Sequence, residues 1–244
     1  ITLTATAGQT KVYGAANPAS YVYTFSPALI GSDVLTGVLT RSTGENVGSY
    51  AISQGTLTNA NYDITYVANN FTITKKAITV TATAGQTKVY GAVDPTSYLY
   101  TLSPALVGSD VLTGALTRVV GETVGTYAIG QGTLTNANYD ITYVVSDFTI
   151  TKKAITLTAT AGQTKVYGAA DPASYVYTSS PALIGSDVLT GALTRVAGET
   201  VGTYAITQGT LANANYDITY VGDNFTITPK PLTVTVRSLQ TKVS

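Results

Sequence analysis

An all-β fold, repeated in tandem, is what this sequence predicts, and three observations predict it. Ile1, Ile78 and Ile155 each open a unit of 77 residues, and ITLTATAGQTKVYGA at the start of the first returns as ITVTATAGQTKVYGA and then as ITLTATAGQTKVYGA. QGTLTNANYDITYV likewise returns almost unchanged near the end of each unit. Self-similarity at a fixed period marks an array before it marks anything else. Within a unit, apolar and polar residues alternate with the two-residue period of strands, and clusters of glycine and asparagine punctuate the alternating runs as turns do. The expected organisation is a β repeat at 1–77, a second at 78–154 and a third at 155–231. The remaining residues, Leu232–Ser244, open a further repeat or act as a donor strand between subunits.

Taken in order, ITLTAT sets Ile1, Leu3 and Ala5 against Thr2, Thr4 and Thr6, the pattern of a strand with one face buried. A second strand is expected at Thr10–Tyr13, closed by a turn at Gly14–Pro18. SYVYTF places Tyr21, Tyr23 and Phe25 on one face of a third. The segment Ser26–Val34, SPALIGSDV, alternates poorly and opens on Ser-Pro, so a helical turn is expected there rather than a strand. Strands at Gly37–Arg41 and Ser49–Ser53 flank a turn at Thr43–Gly48. NYDITYV puts Tyr62, Ile64 and Tyr66 on one face and Asn61, Asp63 and Thr65 on the other, and Asn70–Thr74 supplies the last strand.

Several short strands at regular spacing suggest two sheets packed face to face, and so a small β-sandwich of immunoglobulin-like type. Tyr50, Tyr127 and Tyr204, each two residues after a glycine at the head of a late strand, fit the tyrosine corner of such domains, in which the hydroxyl closes onto backbone. A β-grasp-like repeat built around Ser26–Val34 is the alternative. At the junctions, Phe71 and Ile73 carry the apolar face on odd positions, whereas Ile78, Val80 and Ala82 carry it on even ones, with Lys75-Lys76-Ala77 between. A one-residue slip sends side chains to the opposite face. The last strand of one repeat is therefore expected to run straight into the first of the next with its inward side changed. FTITKKAIT holds no glycine or serine spacer, and Pro229 and Pro231 stiffen the third junction, so an elongated rod is expected, with three units reaching on the order of 10 nm.

Composition removes several classes of function. Thirteen basic residues balance thirteen acidic ones and only 11% of the chain is charged, which leaves neither a nucleic-acid footprint nor a polybasic membrane patch. No apolar stretch approaches the roughly 20 residues that span a bilayer. The chain opens at Ile1 without a methionine or a charged-then-apolar leader, as a processed product or an excerpt would. Cysteine and histidine are absent, so disulfides, thiolate metal sites and histidine chemistry are all excluded.

A hydrolase without those residues needs paired carboxylates, a serine with a lysine, or a metal held by oxygen. Asp33, Glu45 and Asp63 are the acidic residues of the first unit, and each lies beside a turn or a strand edge, where solvated and capping roles are common. No calcium-loop pattern occurs, although an oxygen cage between neighbouring units is a minor alternative. Lys11 is weighed as the donor of a covalent bond to an asparagine beside a buried acid, and no motif marks that role. No catalytic, cofactor-binding or metal-binding residue is nominated, no cofactor is implied, and ligand-binding residues are left unassigned. Of the eighteen tyrosines, most fall on apolar strand faces and are expected in the core, with Tyr13, beside Gly14 at a turn, as the exposed candidate for recognition.

The VYG at Val12–Gly14, the Asn17-Pro18 and Asp94-Pro95 pairs, GSDVLTG at Gly31–Gly37, the glycine, glutamate and tyrosine around Glu45–Tyr50, and GTLTNANYDI leading to FTIT together resemble the MBG domain of the YGX type. The resemblance covers every full unit. It implies a tandem repeat of bacterial adhesin-like proteins, extracellular and located at the cell surface or secreted, with no catalytic residues to carry over. Asn70-Phe71-Thr72 and Asn224-Phe225-Thr226 are formal glycosylation acceptors, but Asp147 breaks the pattern in the second unit, and a bacterial source makes them accidental. The copies differ mainly at strand ends and loops, as at Phe25, Leu102 and Ser179, so no copy stands apart as a specialised head. The expected function is a non-catalytic structural stalk or filament-forming region that provides reach and spacing. Its partners are the neighbouring repeats and, through Leu232–Ser244, a homopolymer. The alternative is a multivalent module that reads a surface glycan or protein through strand-end loops.

Overall fold

A computed structural model of the chain describes residues 1–237. The first repeat contains seven strands, one at each expected place: β1 Thr2–Ala5, β2 Gln9–Val12, β3 Tyr23–Ser26, β4 Thr40–Arg41, β5 Gly48–Ser53, β6 Thr65–Val67 and β7 Asn69–Thr74. β8, Lys76–Ala82, begins the second repeat. Among the described residues there is no helix, and hence none long and apolar enough to cross a membrane.

Two mixed sheets build the first repeat. In the three-stranded sheet β1 is central, antiparallel to β3 with Leu3 opposite Phe25, and parallel to β6 with Leu3 opposite Tyr66. In the four-stranded sheet, ordered β2, β7, β5, β4, strand β7 runs parallel to β2 and antiparallel to β5, with Tyr50 opposite Phe71. The alternation of ITLTAT does what its chemistry requires: Leu3 and Ala5 are fully buried, whereas Thr2 is exposed and Thr4 and Thr6 are half-buried. They meet Ile52 of β5, Phe71 and Ile73 of β7, and Leu39 and Leu57 in a single core drawn from both sheets. Tyr21, Tyr23, Tyr50, Ile64 and Tyr66 pack around it. Phe25, expected to share the face of Tyr21 and Tyr23, is 39% exposed, which fits its replacement by Ser179 in the third copy.

Ser26–Val34 holds no helical turn. Ser26 ends β3, and the segment then reverses in a hydrogen-bonded turn in which the Asp33 N–H donates to the Ile30 carbonyl at 3.1 Å. Gly31 sits there at φ +57°, left-handed backbone that a right-handed helix does not contain.

At the first junction only Lys75 separates β7 from β8, and burial changes phase as the sequence requires, from Phe71 and Ile73 to Ile78, Val80 and Ala82. The third repeat reproduces the first, with the same two sheet orders and a core of Ile155, Leu157, Ile206, Phe225 and Ile227 among others. By packing, the chain divides into two compact units. One contains Ile1–Gln86, Pro95–Val120 and Tyr127–Phe148; the other contains Thr87–Asp94, Gly121–Thr126 and the described residues from Thr149 onward. Each unit thus holds one whole repeat together with the part of the second repeat that docks on it. Residues 231–237 form no strand, with Leu232, Val234 and Val236 exposed, and Ser238–Ser244, the rest of the expected donor strand, lie outside the described residues.

Candidate functional site

The acidic residues singled out in the sequence do not form one site. Asp33 accepts a hydrogen bond from the Tyr62 hydroxyl at 2.9 Å, Glu45 pairs with Lys11 and Arg41, and Asp63 is exposed on the outer side of its strand segment. Among the described residues no group of three or more acidic side chains is placed to hold a metal ion.

Glu45 belongs to a charge cluster that recurs. In the third repeat the buried ammonium of Lys165 lies 2.6 Å from Asp171 and also contacts Glu199, while Arg195 forks onto both oxygens of Asp171 at 3.0 Å and reaches Glu199 at 2.6 Å. Arg195, and after it Lys165, hold the Asp171 carboxyl well below the usual carboxylate range, and Lys165, then Arg195, lower the pKa of Glu199. The guanidinium also lies over the rings of Tyr204, 5.1 Å from the centroid, and Phe225, at 5.5 Å, so that one cation links the core aromatics to the surface carboxylates. In the first repeat Asn17 stands where the third has Asp171. Its amide donates to Glu45 at 3.3 Å and its oxygen accepts from Arg41 at 3.1 Å. Lys11 therefore sits on a carboxylate beside an asparagine, as a salt-bridge partner. Sequence reading named Lys11 and Glu45 but missed Arg41 and Asn17 as their partners; the recurring order lysine, Asn/Asp-Pro, arginine, Gly-Glu was the available signal.

Beside this cluster the Tyr50 hydroxyl donates to the Asn46 carbonyl at 2.7 Å, and Tyr204 makes the same closure onto Thr200 at 2.8 Å, the corner expected from the sequence. Gly44, at φ +140°, lets the ring lie flat, since a Cβ there would meet Tyr50 Cε1 at 2.3 Å.

That corner fixes Asn46 and Val47 for a second purpose. Within the first compact unit, Asn138 of the second repeat accepts the Val47 N–H at 3.0 Å and donates its amide to the Asn46 side chain at 3.1 Å, and its own carbonyl accepts the N–H of Lys76, the first residue of β8, at 3.0 Å. A few residues away the tip of the VYG motif docks. The Tyr13 hydroxyl donates to Asp110 at 2.8 Å, the Tyr139 hydroxyl donates to the same carboxylate oxygen at 2.6 Å, and the two rings meet edge to face at 5.5 Å. Tyr139 also accepts the Val107 N–H at 2.7 Å, so a single phenol holds the GSD loop and closes the joint. Gly14 lets the tip approach: a Cβ on it would lie 2.5 Å from Val107 Cγ2. The hydrogen bond to Asp110 raises the affinity of Tyr13 for its proton, and burial does so for Tyr139.

The second compact unit repeats this joint with Ile184 in place of Val107 and Thr123 in place of Asn46. Tyr90 and Tyr216 donate to Asp187 at 2.8 and 2.6 Å, Tyr216 accepts the Ile184 N–H at 2.7 Å, and Asn215 accepts the Val124 N–H at 3.1 Å. Tyr13, expected to be exposed, is thus half-buried against the next repeat, because the neighbour's aspartate takes its hydroxyl.

The residues that make this joint, VYG, GSD and NANYD, are those that carried the family resemblance. The sequence profile of the MBG domain (YGX type) matches residues 1–72, 78–149 and 155–226. The chain belongs to that family. It is a tandem array of MBG repeats, and the three matches fall within the three copies read from the sequence. No curated protein matches this MBG chain.

Proposed function

We propose that this MBG array is a non-catalytic stalk region of an extracellular protein, at the cell surface or secreted, which provides reach and spacing. The observation that carries the reading is the joint built twice from equivalent residues, Tyr13, Asp110 and Tyr139 in one unit and Tyr90, Asp187 and Tyr216 in the other. A flexible tether needs no such contacts, whereas a spacer gains from successive repeats held at one angle. Each repeat is taken as a small β-sandwich, since its core draws on two sheets, and the lack of any helix among the described residues weighs against the β-grasp alternative.

Small-angle X-ray scattering tests the proposal. An elongated particle with a maximum dimension on the order of 10 nm is expected for the whole chain. Asp110→Ala with Asp187→Ala should broaden the distance distribution while leaving the circular dichroism of the repeats unchanged. A compact particle, or a distribution indifferent to the double substitution, overturns the stalk reading.

A multivalent binding role is the second reading, and it has one favourable observation. An open cleft of about 350 Å³ lined by Asn17, Tyr21, Arg41 and Glu45 recurs in the third repeat as one of about 490 Å³ lined by Asp171, Tyr175, Arg195 and Glu199. Binding of a glycan or protein that strengthens with copy number, and weakens when Arg41 and Arg195 are replaced, would favour it.

A further inference from the structure

Tension applied along a tandem array enters each repeat through its first strand and leaves through its last, so the arrangement of those strands decides how the repeat gives way. In the first repeat β1 lies parallel to β6, with Thr2 opposite Thr65 and Thr4 opposite Val67, and β2 lies parallel to β7, with Gln9 opposite Phe71 and Val12 opposite Thr74. Only Ala68 separates β6 from β7, and residues 6–8 join β1 to β2. The opening and closing parts of the repeat are thus two chain segments that run side by side, in the same direction, through both sheets.

The third repeat builds the same pair of ladders. The strand Lys153–Ala159 pairs in parallel with Tyr216–Val221, from Lys153 opposite Tyr216 to Thr158 opposite Val221, and Thr164–Val166 pairs in parallel with Asn224–Thr228, from Thr164 opposite Thr226 to Val166 opposite Thr228. The far end is tied off by the Tyr167 N–H, which donates to the Thr228 carbonyl at 2.8 Å, and by the Thr228 hydroxyl, which donates to the Lys165 carbonyl at 3.2 Å. Tyr13 and Thr74 do the same in the first repeat. In the second, β8 pairs in parallel with Tyr139–Val144. The loaded strands lie inside their sheets: Lys153–Ala159 is held on its other side by Tyr177–Ser180, and Asn224–Thr228 by Gly202–Thr207. Their inward side chains, Ile155, Leu157, Phe225 and Ile227, are buried in one core, and a slip of one residue would turn that apolar set outward.

We propose that each MBG repeat is a load-bearing clamp, which holds its fold while the chain is pulled along its length. Pulling draws Lys153–Ala159 toward its starting end and Asn224–Thr228 toward its closing end. Because the two segments are parallel, they are drawn past each other. Ladder hydrogen bonds run across the strands, so under this shear they share the load and have to break together. Antiparallel neighbours in the same two places would be peeled apart one bond at a time. Single residues, Lys75 and Lys152, connect the last strand of one repeat to the first strand of the next, so the load passes on with little slack. The inference goes beyond the stalk reading and does not rest on it: reach depends on the angle between repeats, resistance on strands within one.

Single-molecule force spectroscopy on the full chain tests the proposal, and a sequence without cysteine lets thiol handles be placed at will. Lys152→Cys with Lys230→Cys loads the third repeat along the chain, in shear. Lys152→Cys with Ala214→Cys grips the starting ends of Lys153–Ala159 and Tyr216–Val221 and peels the same ladder open. All three positions are exposed and outside strands, and unchanged circular dichroism checks that both variants fold alike. Under shear the repeat should yield in one step that releases about 25 nm, the length of 77 residues at about 3.6 Å each less the folded span. That step should need a force severalfold above the one that opens the peeled pair. Forced unfolding is governed by an unfolding rate rather than by equilibrium stability, so one repeat can give two such values. Equal forces in the two geometries, easier yielding in shear, or a series of small steps in shear would each overturn the proposal.

Discussion

Replacing Tyr139 by phenylalanine isolates the energy of the joint, because the chain carries its own control. The ring remains, so the edge contact with Tyr13 is kept and no cavity opens. What is lost is the hydroxyl, which accepts the Val107 N–H at 2.7 Å and donates to Asp110 at 2.6 Å. A stranded amide costs about 1–3 kcal/mol and a hydrogen bond to a charged group is worth about 1.5–3 kcal/mol. Asp110 is half-exposed and keeps Tyr13, so water recovers part of the second contribution. A net loss of about 2 kcal/mol is expected, a factor of about 30 in the local opening equilibrium. Tyr62→Phe removes equivalent bonds, to Ile30 at 2.7 Å and Asp33 at 2.9 Å, on the open face of the first repeat. Water reaches both partners there, and about 0.5–1 kcal/mol is expected. Native-state hydrogen exchange, resolved to the peptides containing Val107, Ile184 and Ile30, reads the three sites separately. Tyr139→Phe and Tyr216→Phe should accelerate exchange by similar large factors, and Tyr62→Phe by a few-fold. Equal factors at all three sites, or the largest at Ile30, would refute the claim that docking of the neighbouring tip is what buries this phenol.

Other outcomes follow from the same geometry. Gly44→Ala should destabilise the first repeat by about 1–3 kcal/mol, since the added Cβ meets the Tyr50 ring at a backbone angle that disfavours side chains; Gly8→Ala, with a positive φ but open space, should cost less in the same thermal melt. Phe225→Ala removes a fully buried ring, at about 3–5 kcal/mol, which approaches the whole stability of a unit of this size. Exchange should then show the third repeat open and the first still protected. Acid should act unequally. Asp171 has its folded-state pKa depressed, so its contribution is present above the ordinary aspartate value of about 4 and is lost as pH falls through that range toward the folded value. The third repeat should therefore lose more protection than the first between about pH 5 and pH 2, and Asp171→Asn should remove the difference. Asn17→Asp should move the first repeat the other way, stabilising it at neutral pH by giving Lys11 and Arg41 a second carboxylate, and making it acid-sensitive; unchanged melting at pH 7 would contradict the assignment of the cluster.

Much of this was legible before the structure, and the reason is periodicity. Alternation along ITLTAT, NYDITYV and FTIT determines which side chains are buried, because a strand allows only two faces, and the slip across Lys75-Lys76-Ala77 shows in the burial of Ile73 and Ile78. The tyrosine corner was legible because its partners, Tyr50 and Asn46, are four residues apart. The joint was not, because each of its parts has a sufficient local explanation. Val-Tyr-Gly reads as a strand end and turn, Gly-Ser-Asp as a turn, and Asn-Ala-Asn-Tyr as another turn entering a strand. Only the fold brings Tyr13 to Asp110, ninety-seven positions away.

The helical turn expected at Ser26–Val34 failed for a related reason. Poor alternation and Ser-Pro were read as a helix start, when the segment is irregular because it is a docking surface. Its apolar member, Ile30, Val107 or Ile184, has to face outward toward the neighbouring glycine, and its aspartate has to serve two phenols at once. Neither demand is met by a strand facing its own core. An irregular, apolar segment that survives copying with only Ile/Val exchange at one position is therefore better read, in a tandem array, as belonging partly to the neighbouring repeat. On that argument the 77-residue period measures more than the size of a domain: it sets the register at which the Tyr-Gly tip of one copy meets the Asp-Tyr face of the next.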